Sequence, residues 1–454
     1  MPANKTVGEK VIAGAINYDG YIEYEAERIG KESTISEIVR LVVEATNTKA
    51  PIAKLADKVS GYFVPAVMLL AVISFIIYIL TGSSFAVALN VFITVLAVAC
   101  PCSLGLATPL AIVVSEGLCA ENGILIKKSE ILENAQKTNT IVFDKTGTLT
   151  YGTLKIANVI NYTNMEEKEI LALAGSIEKK GTHPISKAFV DYLEQNKIET
   201  LEVENYEEIS GYGVCGIVNN EQIILGNSKI LSKYNIENTH KQDEEKLAKA
   251  GNSIIYVVKN KEIISIIGVS DIIRKNAKEV INTLNKNKIE VIMLTGDNKE
   301  SAEKIAKEIG IERVISNVLP TQKLEVIKKL KEENKFVLMC GDGINDSPAL
   351  ATANIGVSVN SGTDIAMDSS DVILTRNDLN SIINLMHISK KTIRNIKQNL
   401  FWAFFYNVLM LPVAIGLLTP IGITINPMIA SVAMVISSFT VILNALRLKR
   451  IKLN

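Results

Sequence analysis

No Asp, Glu, Lys or Arg occurs between Lys58 and Glu116, a run of 57 residues, and none occurs in the 49 residues between Lys397 and Arg447. Uncharged runs of this length are rare in a water-soluble core, because buried helices there seldom stay free of charge for so long. A helix crossing a bilayer needs ~20 mostly apolar residues, so each run has room for two. The first divides at Thr81-Gly82-Ser83-Ser84 into predicted spans 62–80 and 85–115. The second divides around Thr419-Pro420 and Asn426-Pro427 into predicted spans 399–418 and 428–446. Four crossings return the chain to the side it started from, which puts the charged segment 116–397 on the same side as the N-terminal segment. Lys127, Lys128, Lys390, Lys391, Arg394, Lys397 and the tail 448–454 gather basic charge at the span ends on that side. The positive-inside tendency makes it the cytoplasm. The chain opens on no apolar stretch, so the reading expects no signal peptide.

Composition narrows the rest. Lys+Arg and Asp+Glu balance at 48 each over 454 residues, which argues against a nucleic-acid partner, since tracking phosphates needs a basic excess. A hydrophobic share of 48% excludes a disordered chain. Five cysteines, odd in number and sparse, make no disulfide framework, and Cys119, Cys215 and Cys340 have no partner spacing and read as structural. Residues 1–50 combine short β-type runs, broken at Gly14 and Asp19-Gly20, with a helical pattern over 33–47. Too short to bury a core alone, they read as part of a β-rich domain.

The charged segment holds three apolar strands that each run into a Gly/Asp turn. They are Thr140-Ile-Val-Phe-Asp144 before Lys145-Thr146-Gly147-Thr148, Ile289–Thr295 before Gly296-Asp297, and Lys335–Gly341 before Asp342-Gly343-Ile344-Asn345-Asp346. Helical patterns over 301–310 and 323–334 separate them, and alternating strand and helix indicates a parallel sheet. Such sheets carry chemistry at the carboxyl ends of their strands. Placed there, Asp144 can act as a nucleophile and form an aspartyl phosphate. Thr295 can hold a phosphoryl oxygen, and Lys145 and Lys323 can offset phosphate charge. Asp342 and Asp346 offer the hard oxygens Mg²⁺ prefers. Between 154 and 260 the pattern changes to short strands over 202–209, 213–218, 222–225 and 253–258, an inserted α+β domain, and the parallel series is expected to resume with a strand at 262–269. Gly211-Tyr212-Gly213 would let backbone approach a ligand closely. His183, read by itself, is a structural residue. No Gly-x-x-x-x-Gly-Lys-Ser/Thr loop occurs.

In the first uncharged run, Pro101 between Cys100 and Cys102 breaks helical hydrogen bonding and turns both sulfurs to one side. Soft sulfur ligands inside a membrane select soft ions such as Cu(I) or Zn²⁺. In the second run, Tyr406-Asn407 offers neutral oxygen and nitrogen groups, and Met434 places a thioether one turn before Ser438. The absence of any carboxylate from these spans favours a monovalent ion, since an unbalanced divalent charge is costly to desolvate.

DKTGTLT, TGDN and GDGINDSPAL resemble the phosphorylation and hinge motifs of P-type ATPases, and Cys-Pro-Cys resembles their heavy-metal class; the likeness runs from about Thr6 to Lys452. It implies a multi-domain α/β fold with membrane helices: a haloacid-dehalogenase-like phosphorylation domain (116–153 and 261–397), an inserted α+β nucleotide-binding domain (154–260), four transmembrane helices (two in 51–115, two in 398–447) and a partial β-rich actuator domain (1–50). It implies that Asp144 is phosphorylated, with Lys145, Thr146, Thr148, Thr295, Asp297 and Lys323 around it, and that Asp342 and Asp346 hold Mg²⁺. For ATP it implies Glu178, His183, Gly211, Gly213, Gly226 and Asn227, although Gly181-Thr182 stand where the family has Ser-Glu. Tyr406-Asn407, Met434-x-x-x-Ser438 and Asn444-Ala-Leu-Arg447 are similar to the copper(I)/silver group, so Cu(I) is the expected cargo, on Cys100, Cys102, Tyr406, Asn407, Met434 and Ser438.

The expected setting is the cell membrane, multi-pass, with membrane lipid and a copper chaperone as partners. The family's Thr-Gly-Glu-Ser loop is not found in the sequence. The chain therefore resembles the C-terminal two-thirds of a pump that phosphorylates but turns over poorly, with a missing N-terminal half as a further partner. Two other readings stand beside it, a zinc or cadmium exporter and a non-transporting ATP-binding fragment.

Overall fold

The computed structural model describes residues 23, 25, 51–98, 102–181, 183–209, 212–249, 251–297, 299–342, 346–359, 369–376, 378–422 and 424–453. The expected strands and helix within 1–50 lie outside the described residues. The chain divides into two compact units, one formed by Met1–Thr138 with Asp371–Asn454 and the other by Asn139–Ser370.

In the first unit, helices run over Pro51–Leu80, Phe85–Val98, Cys102–Glu121, Asn380–Ala414 and Pro427–Leu446. Among the described residues, three stretches are long and apolar enough to cross a membrane: Lys58–Leu80, Phe85–Glu121 and Pro427–Arg450. The span predicted at 399–418 differs. It falls on the second half of the Asn380–Ala414 helix, where Asn399, Trp402, Tyr406 and Asn407 dilute the apolar run. The helix stops short of Leu418 because the chain turns at Gly416, which has φ +82°. Small residues let these helices approach one another: Ala71, Ala414 and Ala430 pack with Val67, Val95 and Val98. Polar groups add to the packing. Asn395 Nδ2 donates to the Asn444 carbonyl (2.7 Å), Asn444 Nδ2 to Asn399 Oδ1 (2.7 Å) and Asn399 Nδ2 to Asn395 Oδ1 (3.1 Å).

The boundaries expected at 116 and 397 move. The Cys102–Glu121 helix runs past Ser115, and the strand Ile124–Ile126 pairs antiparallel with Val372–Leu374. Ser115 and Thr392 share a 2.6 Å hydrogen bond, and Ser389 Oγ accepts from Gln136 N at 2.9 Å. Residues 116–138 and 371–397 therefore belong to the unit that holds the membrane helices.

The second unit contains five parallel strands in the order Ile355–Ser358, Val337–Gly341, Thr140–Asp144, Glu290–Leu294, Arg313–Ile315. Thr140–Asp144 comes first in sequence yet lies in the middle. The next two strands build outward on one side of it and the last two on the other. The chain thus reverses direction between Thr140–Asp144 and Val337–Gly341, which opens a crevice at their carboxyl ends.

A second, antiparallel sheet of six strands runs in the order Thr150–Asn161, Glu262–Ile273, Ser253–Lys259, Glu221–Gly226, Gly213–Val218, Glu204–Ile209. The strand expected to resume the parallel series is therefore part of the insert: Glu262–Ile273 lies between Ser253–Lys259 and Thr150–Asn161. The inserted sheet starts at Thr150 and ends at Ile273, and these two residues are register partners. Helices Glu167–Glu178 and Pro184–Asn196 bury Ile170, Leu171, Ile177, Phe189 and Leu193 in a core shared with Leu225, Val257 and Ile267.

Candidate active site

Asp144 ends its strand, is buried, and is followed by a loop that only Gly147 can shape. Gly147 has φ +71°, and a Cβ there would lie 3.3 Å from Asp342 Cβ, so it also allows Asp342 to come close. Thr150 Oγ1 braces the loop: it accepts from Gly147 N (3.2 Å) and lies 3.0 Å from the Lys145 carbonyl. The chain reversal then brings Lys323 against Asp144. Its Nζ donates to Asp144 Oδ1 and to Asp346 Oδ1, both at 2.6 Å, and all three side chains are buried. Lys145 pairs with Asp297. Thr295 is held by its backbone, with its N–H on the Ile315 carbonyl (3.0 Å), and its hydroxyl accepts from Asp297 N at 3.2 Å.

The site's charge balance is acidic. Burial pushes the Asp144 carboxyl up to about 7; the Asp346 and Asp342 carboxylates add to this, and Lys323 opposes it. Burial acts to lower the Lys323 ammonium, but Asp144 and Asp346 outweigh it and hold Lys323 above its ordinary value. Asp346 Oδ2 is buried without a hydrogen-bond partner among the described residues. An orphaned carboxylate oxygen beside two further carboxylates and one ammonium suits a hard divalent cation, so these residues fit Mg²⁺. Thr148 Oγ1 is likewise buried without a partner among the described residues, whereas Thr146 is exposed.

Two residues that sequence reasoning missed secure the loop after Asp144. Arg274 is 2% exposed. Its Nε donates to the Thr148 carbonyl (2.6 Å), its Nη2 to the Gly147 carbonyl (2.8 Å) and its backbone N–H to the Leu149 carbonyl (3.0 Å). Asp271, three residues earlier, accepts from Thr150 Oγ1. Their only sequence signal was two opposite charges closing a long apolar strand.

The chain is similar to known proteins in both sequence and fold. Residues 138–354 match the haloacid dehalogenase-like hydrolase family, and residues 1–43 match the P-type ATPase actuator domain. A zinc-transporting PIB-type ATPase solved in its E2.Pi state superposes with a TM-score of 0.77 at 31% identity, covering 92% of this chain and 68% of that one. The chain belongs to the P-type ATPases. Among curated relatives, a copper-exporting P-type ATPase of Staphylococcus haemolyticus is 42% identical over 100% of this chain. A silver-exporting P-type ATPase of Salmonella typhimurium is 40% identical over the same share. The chain spans 56% of each of these relatives.

Elsewhere in this P-type ATPase the predicted site residues are less closely gathered. Glu178 is buried and accepts from Ser186 Oγ (2.5 Å); burial raises its carboxyl, and Ser186 opposes the shift. His183 caps the Pro184–Asn196 helix, its Nδ1 accepting from Ile185 N at 3.2 Å, and its ring is exposed. Gly213 and Gly226 are register partners. A Cβ on Gly213 would lie 2.0 Å from the Leu225 carbonyl oxygen, so the close approach expected toward a ligand is here strand against strand. Asn227 caps the following helix, accepting from Lys229 N at 3.0 Å. The Tyr206 hydroxyl, also missed, is buried without a hydrogen-bond partner among the described residues. Gly211, Cys100 and the Cys102 side chain lie outside the described residues. Of the other predicted cargo ligands, Asn407 is buried, Met434 and Ser438 are half-buried, and Tyr406 is exposed. Ser437, rather than Ser438, is turned inward, its Oγ 3.4 Å from Ser103 Oγ.

Proposed function

We propose that the chain forms the phosphorylating and ion-conducting part of a copper(I)-exporting P-type ATPase that works through an aspartyl phosphate on Asp144. The observation that carries this reading is the buried Asp144–Lys323–Asp346 cluster at the chain reversal of the parallel sheet. Lys323 engages Asp144 Oδ1, which leaves the second oxygen to attack the γ-phosphorus of ATP. The new O–P bond forms as the bond to the β-phosphate oxygen breaks, and ADP leaves. Lys323 and the Thr295 and Thr148 hydroxyls stand where charge develops on the transferred group. Arg274 keeps the loop in place, so the attack geometry is set beforehand. Mg²⁺ held by Asp342 and Asp346 would neutralise phosphate charge. Glu178, His183, Gly211, Gly213, Gly226 and Asn227 are proposed to hold the nucleotide.

Because attack needs the carboxylate, phosphorylation should follow the ionisation of Asp144. At limiting Mg²⁺, acid-stable phosphoenzyme formation is expected to rise roughly tenfold between pH 6 and pH 8, with a midpoint near 7. Added Mg²⁺ should move the midpoint down, since a cation favours the charged form. Rapid-quench labelling with γ-labelled ATP measures both effects, and a rate that falls with pH would contradict the role of Asp144.

Copper is favoured over zinc by the higher identity to copper- and silver-exporting relatives than to the zinc-transporting structure, 42% and 40% against 31%. Spans without carboxylates, with Cys100, Cys102, Asn407 and Met434, suit a monovalent soft ion. A copper-donating chaperone and the segments that the longer relatives carry beyond the matched region are the partners this reading implies. ATP hydrolysis in lipid should be stimulated by Cu(I) and Ag(I) over metal-free protein; stimulation by Zn²⁺ alone would replace copper with zinc.

A further inference from the structure

Along the Asn380–Ala414 helix, Lys390, Arg394 and Lys397 recur at i, i+4 and i+7, so they share one face over ~10 Å of helix. Lys391 flanks them, and all four side chains are exposed. One turn on, Phe401, Trp402 and Phe405 form a mutual aromatic cluster with ring centroids 5.4, 5.6 and 5.7 Å apart. Phe401 and Trp402 are more than half exposed, at 58% and 52%. Cations and aromatics line a groove of about 790 Å³ whose walls include no Asp or Glu. None of the four cations has an ion pair among the described residues. Burial, and after it the charges of Lys391 and Lys390, hold His387 below its ordinary range.

A second groove of about 670 Å³ adjoins it, sharing Gln398 and Trp402, and adds Arg447 and Arg450. Cations therefore flank Trp402 on both sides, while Val408 and Leu409, farther along the helix, are exposed and apolar. Charge followed along one helix by exposed aromatics and then aliphatics has the layering of a bilayer surface: phosphate level, interfacial belt, hydrocarbon.

We propose that this double groove binds an anionic phospholipid, with Arg394 and Lys397 on the headgroup phosphate and the acyl chains against Phe401 and Trp402. A zwitterionic headgroup brings its own cation to the phosphate and would not answer an uncompensated cluster. A small free anion would leave the aromatic half of the groove unused. The inference rests on the membrane setting of these helices, and not on the identity of the transported ion.

Trp402 is the only tryptophan in the chain, which makes the test direct. The full chain is placed in phosphatidylcholine nanodiscs containing ~20 mol % of brominated phosphatidylglycerol or brominated phosphatidylcholine, and Trp402 quenching is compared. The expected result is stronger quenching by the anionic lipid. That preference should shrink as NaCl rises from ~0.05 to ~0.5 M. It should fall roughly fivefold for each cation removed in Lys390→Gln, Arg394→Gln and Lys397→Gln. Equal quenching by the two lipids, or a wild-type preference insensitive to salt, would overturn the site whether or not the variants fold. A preference removed by inorganic phosphate at constant ionic strength would overturn it too, and assign the groove to a free anion. No quenching by either lipid would refute the membrane placement of this helix together with the site.

Discussion

Lys323→Met should lower the thermal transition of the second unit by on the order of 10 °C at pH 8 and cut phosphoenzyme formation by more than ~100-fold. The side chain removed is a buried ammonium that holds two buried carboxylates at 2.6 Å each. Breaking a buried pair by deleting one partner typically costs ~3–5 kcal/mol, because the remaining charge is left uncompensated. Here two carboxylates are left, with Asp342 close enough to repel Asp144. The deficit should depend on pH with a definite sign. Without Lys323, Asp144, already raised by burial and its neighbouring carboxylates, would titrate higher still in the folded state, so the folded state would bind its proton more tightly than the unfolded state does. The penalty is then small below the unfolded carboxylate range and grows as pH rises through the raised folded value. Thermal melts of wild type and variant at pH 5 and pH 8 measure this; a gap that narrows toward pH 8 would show that the ion pair is not what holds the cluster. The phosphorylation loss should persist at both pH values, because the positive charge facing the transferred phosphate is gone.

Asp144→Asn should have the opposite balance. Loss of the nucleophile is expected to reduce acid-stable phosphoenzyme by at least ~10⁴-fold, since an amide oxygen forms no stable acyl phosphate here. Stability should rise rather than fall at pH 8. Burial and two neighbouring carboxylates already push Asp144 up to about 7, so its charge disfavours the folded state at higher pH, and a neutral amide of the same shape removes that repulsion. Lys323 keeps Asp346 as a partner. Labelling with γ-labelled ATP and a thermal melt of the same preparation decide both points. Retained labelling would remove Asp144 from the mechanism, and a lowered transition would show that Lys323 needs both carboxylates. A protein that gains stability by losing its nucleophile would display how this site holds a carboxylate in an unfavourable place because the chemistry needs it there.

Much of the site was legible beforehand. Thr140–Asp144, Glu290–Leu294 and Val337–Gly341 are five-residue apolar runs that each end in a Gly/Asp turn, so an open parallel sheet places their turns side by side. Lys323 could be read as a positive charge near the start of a helix, but not as the bridge between Asp144 and Asp346, since 179 and 23 residues separate it from its two partners. The strand at Glu262–Ile273 was misplaced for a related reason. A strand buried on both faces reads as an apolar run whether its neighbours are parallel or antiparallel, and pairing is settled only by the strands available beside it. Arg274 gave almost no signal, because a charged residue just past a strand usually faces water. This one is buried by carbonyls of a loop 126 and 127 residues earlier in the chain.

The sequence by itself determined what depends on local chemistry and on the solvent each segment needs. Its uncharged runs require a bilayer, its strand-end carboxylates offer a nucleophile and a cation site, and its Cys-Pro-Cys and methionine point to a soft ion. The tertiary structure alone decided what depends on where the chain turns back. It put the change of sheet at Thr150 and Ile273, set Arg274 under the loop that follows Asp144, turned Ser437 inward in place of Ser438, and left the cationic and aromatic faces of one helix side by side and exposed. Periodicity reports which residues avoid water, whereas pairing across hundreds of residues is fixed by packing, which local pattern does not encode.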